Sequence, residues 1–410
     1  MSALGSGAFR WLLASSVAVY LGTGAQLTAI AWLALGSRGG AFTVGLALAA
    51  RMLPNLLFGL PAGTLADQGN RQRLLAIVRV ASILPSLGFA WLATLPADAV
   101  VPLVLLSFAT GTATVFDTPT RQALVMDTTP REVAPNAMAL NATMSRLSTA
   151  LGALVAGILI PSAGVPSCFL ATVAAFIIAV VLGLPTGRPT PNLQVRERHS
   201  RPSFGHALAD AARLMFQVPE VRTLMIAAVA CEIFGFSYAT AVPVFARDVL
   251  HAGPEGLGTL NAAASFGGAA AVVVLSVVPG RVPRQPVLGG VFVIYGASML
   301  LVAPAASLAL AASALLITGA CAASFDVLQQ TLMQLAVPEE QRGRAVGLWV
   351  LGIGSAPVGN LEMGGLVAAI GAPAALAING ALVLAAAALL IVAAPAYRLR
   401  TRLVRGVGVS

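Results

Sequence analysis

Lysine is absent from this chain of 410 residues, so all 24 of its basic residues are arginine. Without lysine there is no Walker P-loop, which excludes ATP hydrolysis through a P-loop of the chain's own. There is also no Schiff-base lysine, which excludes a retinal-based pump. The three histidines lack metal-ligand spacing, and the three cysteines lie in apolar stretches. We therefore expect no metal, no cofactor, no disulfide framework and no enzymatic activity.

Charge is also scarce, since 10% of the residues are charged and 58% are hydrophobic, whereas soluble domains carry about 25% charged residues. A soluble surface needs more charge than this, and a disordered chain needs less hydrophobicity. Long uncharged runs fit membrane-spanning helices, each of which needs about 20 apolar residues. We predict an all-α membrane protein with twelve helices near 9–35, 42–66, 74–95, 100–124, 136–160, 166–185, 222–245, 257–279, 286–303, 306–331, 345–370 and 373–395.

The arginines are distributed unevenly between the predicted loops. Most of them follow the second, fourth, sixth, eighth and tenth helices or lie in the C-terminal tail, whereas the opposite loops hold only Arg38 and Arg247. Cytoplasmic loops are enriched in arginine, so this asymmetry predicts that both termini are cytoplasmic. The same face would attract anionic lipid, and we expect no nucleic-acid partner.

A polar stretch divides the chain near its middle. We expect an N-terminal six-helix bundle in residues 1–185, a cytoplasmic linker in 186–221, a C-terminal six-helix bundle in 222–397 and a basic cytoplasmic tail in 398–410. Apolar residues in the linker recur at helical spacing, which predicts an amphipathic interfacial helix, with a plain linker as the alternative. These residues are Phe204, Leu208, Ala212, Met215 and Phe216.

Two motifs recur in the two halves at nearly the same offset. Phe116-Asp117 returns 209 residues later as Phe325-Asp326, and Pro130-Arg131-Glu132 returns 208 residues later as Pro338-Glu339-Glu340. Helices 4 and 5 therefore correspond to helices 10 and 11 in the same orientation, because six helices separate the copies. Two parallel six-helix repeats are typical of transporters whose site lies at the mid-membrane interface between the repeats.

The loop after the second helix reads Gly63-Thr64-Leu65-Ala66-Asp67-Gln68-Gly69-Asn70-Arg71-Gln72-Arg73. It resembles the signature of the major facilitator superfamily. Residues 116–141 and 337–344 resemble the branch of transmembrane secretion effectors that includes the enterobactin exporter and drug–proton antiporters. The resemblance covers nearly the whole chain. It implies the major facilitator fold and a proton-coupled exporter of drugs, siderophores or secondary metabolites, working by alternating access in the bacterial cytoplasmic membrane.

Other functions stay open at this point. The fifth helix lacks the proline of the antiporter signature, because Gly152-Ala153-Leu154-Val155-Ala156-Gly157 stands there. An importer or an uncoupled facilitator is therefore an alternative. A non-transporting membrane scaffold or sensor is an alternative from another class. Under the leading hypothesis, the expected partners are protons and a small-molecule substrate, and the protein is expected to be monomeric.

Charged residues near the inner membrane edge are candidates for contacts that stabilise one conformation. The resemblance implies that Asp67 faces the start of helix 11 and that Arg71 meets an acid on helix 4, here Asp117. Asp326 is the repeat equivalent of Asp117. Its candidate partners are Arg281, Arg284 and Arg344. The predicted conformational latch comprises Asp67, Arg71, Asp117, Asp326 and Arg344; solvated structural ion pairs are the alternative.

Acids within the helices are candidates for proton coupling. Glu232 lies about ten residues into helix 7, and the resemblance implies that helix 7 lines the central cavity. An acid in a cavity of low dielectric can carry a proton or bind a cation, so Glu232 is the first candidate. Its alternative is a hydrogen-bonded structural carboxylic acid. Glu362, deep in helix 11, is the second candidate, with pairing to Arg146 across the halves as its alternative.

Two arginines also lie deep within predicted helices, Arg51 in helix 2 and Arg146 in helix 5. A charge inside the bilayer costs at least about 2.5–3.5 kcal/mol, so each is a functional candidate. Either could bind an anionic substrate group or neutralise an acid such as Glu362. Asn55 and Gln26 are candidate polar contacts to substrate, with interhelical hydrogen bonds as the alternative.

Overall fold

A computed structural model describes residues 3–68, 70–95, 99–130, 132–186, 213–215, 217–277, 284–338 and 341–406. Within these ranges the regular structure is helical, and no strand occurs. The helices are α1 (Gly7–Leu35), α2 (Gly40–Gln68), α3 (Arg71–Leu92), α4 (Val100–Asp127), α5 (Ala134–Gly183), α6 (Pro219–Val249), α7 (Gly253–Val277), α8 (Arg284–Val302), α9 (Leu308–Leu335), α10 (Arg342–Ile353), α11 (Ala356–Ile370) and α12 (Ala372–Gly406). The predicted interfacial helix of the linker lies almost entirely outside the described residues.

The apolar runs of the sequence form long helices whose ends are set by polar residues. Among the described residues, ten helical segments are long and apolar enough to cross a membrane. The side chains of Ser6 and Asn70 accept hydrogen bonds from first-turn amides of α1 and α3, which fixes where these helices begin. Large apolar side chains lie on the outer surface, including Leu84 and Val101, each 70% exposed. Such a surface suits contact with lipid.

The long helix α5 turns back on itself at Gly164. This residue has φ 81° and ψ 164°, a left-handed backbone conformation that favours glycine. Both arms of α5 then contact the same part of α1. The Thr172 hydroxyl donates to the Gly22 carbonyl over 3.3 Å, and Gly152 packs against the Leu21 carbonyl. α5 therefore supplies the fifth and sixth membrane crossings.

The same turn occurs in the second half of the chain. Gly371, between α11 and α12, has φ 83° and ψ 160°. It lies 207 residues after Gly164, close to the offset between Asp117 and Asp326. The sequence repeat is therefore also a structural repeat. When α5 is counted twice and α10 with α11 is counted once, the described residues make the predicted twelve crossings.

Two predicted helices differ in detail from the structure. The helix expected over 345–370 is interrupted at Gly354 and Ser355, between α10 and α11. Pro357 explains the break, because it has no amide hydrogen and is accommodated in the first turn of a new helix. The last helix was expected to end near 395, but α12 continues to Gly406, through most of the segment predicted as a tail.

The N half (α1–α5) and the C half (α6–α12) pack together mainly through two helix pairs, α5 with α7 and α2 with α11. Polar contacts join them on the membrane side opposite the termini. Arg247, near the end of α6, donates to the Leu35 carbonyl at the end of α1 over 3.0 Å. Asn261 on α7 donates to the Thr28 hydroxyl on α1 over 3.2 Å. These contacts hold the two halves together on that side.

Candidate functional site

A buried charge cluster lies within the N half around Asp117. One carboxylate oxygen lies 3.2 Å from Nε of Arg79 on α3, and the other lies 3.2 Å from Nε of Arg121 one turn along α4. Arg79 is 2% exposed and Arg121 is 3% exposed. Arg121 also donates to the Tyr20 hydroxyl, and Arg79 donates to the Ser15 hydroxyl. Two cations therefore share one anion in this buried site.

The expected contact between Arg71 and Asp117 is wrong. Arg71 instead donates to both carboxylate oxygens of Asp127, over 2.8 and 2.6 Å, and to the Ala66 carbonyl. Arg71 begins α3 and Asp127 ends α4, so both lie at the same membrane edge. Asp117 is ten residues earlier on α4, about 15 Å deeper. The side chain of Asp67, the other expected contributor, is outside the described part of the chain.

A second charge contact crosses between the halves. Nη2 of Arg146 on α5 lies 3.9 Å from a carboxylate oxygen of Asp326 on α9, and their side chains are 35% and 34% exposed. The predicted pairing of Asp326 with Arg284 or Arg344 is wrong, because Arg146 is its partner. Arg281, the third predicted partner, lies outside the described residues. The repeat position of Arg121 is Gln330, 209 residues later. Asp326 therefore has no arginine at i+4 on its own helix and pairs across the interface.

The alternative pairing of Glu362 with Arg146 is also wrong. Glu362 accepts a hydrogen bond from the Asn379 side chain on α12, over 3.1 Å. Asn379 in turn contacts the Ser237 hydroxyl on α6 over 3.1 Å. Glu362 therefore belongs to a polar network inside the C half.

Glu232 lies in a π-helical turn of α6, Cys231–Gly235, in which the Phe236 amide bonds to the Cys231 carbonyl over 2.8 Å. Such turns occur often at functional sites because they widen the helix locally. The ring of Tyr295 on α8 packs against Gly235 of this turn, and its hydroxyl is fully buried. That hydroxyl has no hydrogen-bond partner among the described residues. Glu232 lies in the C half beside α11, where its carbonyl faces Gly359, and Arg146 with Asp326 makes the charge contact between the halves.

The remaining predicted residues do not take part in the contact between Arg146 and Asp326. Arg51 is 4% exposed, and its Nη1 has no hydrogen-bond partner within the described ranges. Gln26 is fully buried and donates to the Ser86 hydroxyl over 2.9 Å. The Asn55 amide contacts the sulfur of Met52 at 3.6 Å. Arg344 is exposed near the start of α10.

Sequence reasoning missed Arg79 and Arg121 as site residues. Both fall inside predicted helices, 74–95 and 100–124. The rule that singled out Arg51 and Arg146, an arginine embedded in an apolar run, applies equally to both. Their role as partners of Asp117 could have been proposed from that signal.

Comparisons with known proteins identify the family. The family model of transmembrane secretion effectors matches residues 1–405. A protein of Staphylococcus aureus (strain NCTC 8325 / PS 47), described as a staphyloferrin A transporter, is 26% identical over 268 residues. The match covers 65% of this chain and 66% of that protein, just under two thirds of its length.

Solved structures of transporters share the fold at low identity. The POT family transporter PepTSo aligns with a TM-score of 0.70 and 12% identity, over 96% of this chain and 98% of that chain. An inward-facing bacterial homologue of the human lysosomal transporter Spinster aligns with a TM-score of 0.62 and 17% identity, over 97% of each chain. The chain therefore belongs to the transmembrane secretion effectors of the major facilitator superfamily, and it is a multi-pass membrane transporter rather than an enzyme.

Proposed function

We propose that this transporter is a proton-coupled exporter of amphipathic small molecules that works by alternating access. The ion pair between Arg146 and Asp326 is the observation that supports the proposal most directly, because it joins the two halves. About a third of each side chain is exposed, so water and protons have access to the pair. A contact between halves that depends on a titratable acid makes their relative movement depend on protonation.

Glu232 is a further acid that we consider for carrying the proton, in addition to Asp326. When Asp326 binds a proton, its attraction to Arg146 falls and the contact between halves weakens. Glu232 is the first candidate carrier of the proton, because it is an acid placed in a π turn within a membrane-spanning helix. Glu362, which accepts a hydrogen bond from Asn379, is the second candidate carrier.

Direction, location and cargo rest on separate observations. The family description as secretion effectors supports export. The arginine-rich loops support a bacterial cytoplasmic membrane with both termini inside. The described function of the Staphylococcus relative makes siderophores the first substrate class to test, before drugs and secondary metabolites. At the inner membrane edge, Arg71 with Asp127, in place of the predicted Asp117, becomes the candidate latch contact.

Transport by purified protein in liposomes tests the proposal, with staphyloferrin A and ethidium as probes of the siderophore and drug classes. We expect an imposed pH gradient to drive accumulation of at least one probe against its own gradient. Glu232→Gln should abolish this accumulation but keep exchange of the probe across the membrane without a gradient. Glu255→Gln is the matched control, because Glu255 is exposed in the first turn of α7.

The outcomes separate the remaining functions. Exchange that proceeds in the wild type but does not respond to a pH gradient would indicate an uncoupled facilitator. Coupled transport that is unchanged in Glu232→Gln would remove Glu232 from the mechanism. Accumulation only in the inward direction, with protein orientation determined by protease protection, would indicate an importer.

A further inference from the structure

Deeply placed charges are divided unevenly between the two halves. In the N half, the described charged side chains more than one turn from a helix end are Arg51, Arg79, Asp117, Arg121 and Arg146. In the C half, whose side chains are described up to residue 392, they are Glu232, Asp326 and Glu362. Arg146 pairs with an acid of the other half, but the N half still holds three arginines and one acid. It therefore carries a net positive charge within the membrane.

A pocket of about 40 Å³ lies beside this charge, between α1, α3, α4 and the second arm of α5. By the volume that a water needs, it has room for about three water molecules, or for one carboxylate group. Its lining includes Tyr20, Gln26, Arg79, Thr110, Thr114 and Asp117. The pocket thus connects the buried charge cluster with hydroxyl and amide groups of neighbouring helices.

Two fully buried atoms of residues that line the pocket lack a hydrogen-bond partner among the described residues. One is Nη2 of Arg79, a donor, and the other is Oε1 of Gln26, an acceptor. Both side chains are at least 98% buried. A buried donor without a partner is costly, and more so on a charged group. Because Arg79 and Arg121 share only Asp117, an anion in the pocket would satisfy both the hydrogen bond and the charge.

We propose that this pocket binds the carboxylate of an anionic amphipathic substrate, with Arg79 as its donor. Gln26 would accept a hydrogen bond from an O–H or N–H group elsewhere on the same molecule. Ser86, the partner of Gln26, lies seven residues after Arg79 on α3, so both contacts fall on the same face of that helix. The inference rests on the proposed export function and narrows its substrates to organic acids.

Fluorescence titration of the purified full-length protein in lipid nanodiscs tests the pocket. The probes are dansylglycine, which carries a carboxylate, and dansyl ethylenediamine, which carries the same fluorophore with an amine. We expect the wild type to bind the carboxylate probe at least tenfold more tightly. Thr114→Phe fills the pocket without removing a charge and should weaken this binding at least tenfold. Thr112→Phe, on the same helix but outside the lining, should change it less than twofold.

Arg79→Lys keeps the positive charge but removes the planar guanidinium, and we expect several-fold weaker binding of dansylglycine. Equal affinity for the two probes would overturn the proposal, as would binding that Thr114→Phe leaves intact. Binding of the probes does not depend on whether transport is coupled to protons. Gradient-driven transport without a carboxylate preference would remove only this inference, whereas carboxylate binding without a response to pH would remove only the proposed proton coupling.

Discussion

Arg146 on α5 lies 3.9 Å from Asp326 on α9, and the two residues belong to opposite halves of the transporter. The contact has a direct energetic test. We expect a double-mutant cycle with Arg146→Gln and Asp326→Asn to give an interaction energy below about 1 kcal/mol, because both side chains are about one-third exposed. Unfolding in mixed SDS micelles measures it. An energy well above this would mean that the pair is shielded from solvent.

Asp117 and Asp127 lie on the same helix and provide a matched comparison. Asp117→Asn leaves the guanidinium groups of Arg79 and Arg121 buried without a counter-charge, and we expect it to cost about 3–5 kcal/mol of stability. Asp127→Asn removes the partner of Arg71 at an exposed site and should cost less than about 1 kcal/mol. The same unfolding assay measures both. Equal losses would argue that the N-half cluster is hydrated.

Gly371 forms the turn between α11 and α12 in a left-handed conformation. Gly371→Ala should destabilise the protein by about 1–2 kcal/mol, because a Cβ is disfavoured at this φ. Gly365→Ala is the control, since Gly365 lies inside α11 and the space that its Cβ would occupy is open. There we expect no loss, or a gain of up to about 1 kcal/mol from higher helix propensity. Thermal unfolding in detergent distinguishes them; similar effects would contradict the role of the turn.

Arg247 donates to the Leu35 carbonyl on the side opposite the termini. Arg247→Gln should favour separation of the halves there by about 1 kcal/mol, a roughly fivefold change in the ratio of conformations. Spin labels at residues 37 and 255 report the distance across this interface. Asp248→Asn removes the neighbouring ion pair but keeps the bond to Leu35, so it should leave the distances unchanged. If both variants shift the distances equally, the ion pair rather than the cross-half bond holds this side closed.

Hydropathy was sufficient to predict most of the fold. The twelve crossings follow from apolar runs that only helices can place in lipid. The break near Gly164 was visible as closely spaced prolines and glycines. The interruption at Gly354 and Ser355 was not, because the surrounding sequence is apolar on both sides and Pro357 alone does not fix where a helix ends.

The site was predicted less completely than the fold. The sequence identified Asp326 and Arg146 as important but not as partners, because pairing across the interface depends on how the halves pack. Arg71 was assigned to Asp117 by resemblance, although Asp127 is nearer the same membrane edge. A count of residues along α4 favours Asp127, but only after the helix ends are known.

The π turn that carries Glu232 has a mechanical consequence. A π turn contains one residue more than an α turn, so moving it along α6 rotates the residues it passes by about 100°. Such a shift would turn the Glu232 carboxylate toward a different side of α6 while both ends of the helix stay packed against their neighbours. Rotation within one helix would then present the same acid to two different surfaces in turn, and this local change could accompany the movement of the halves.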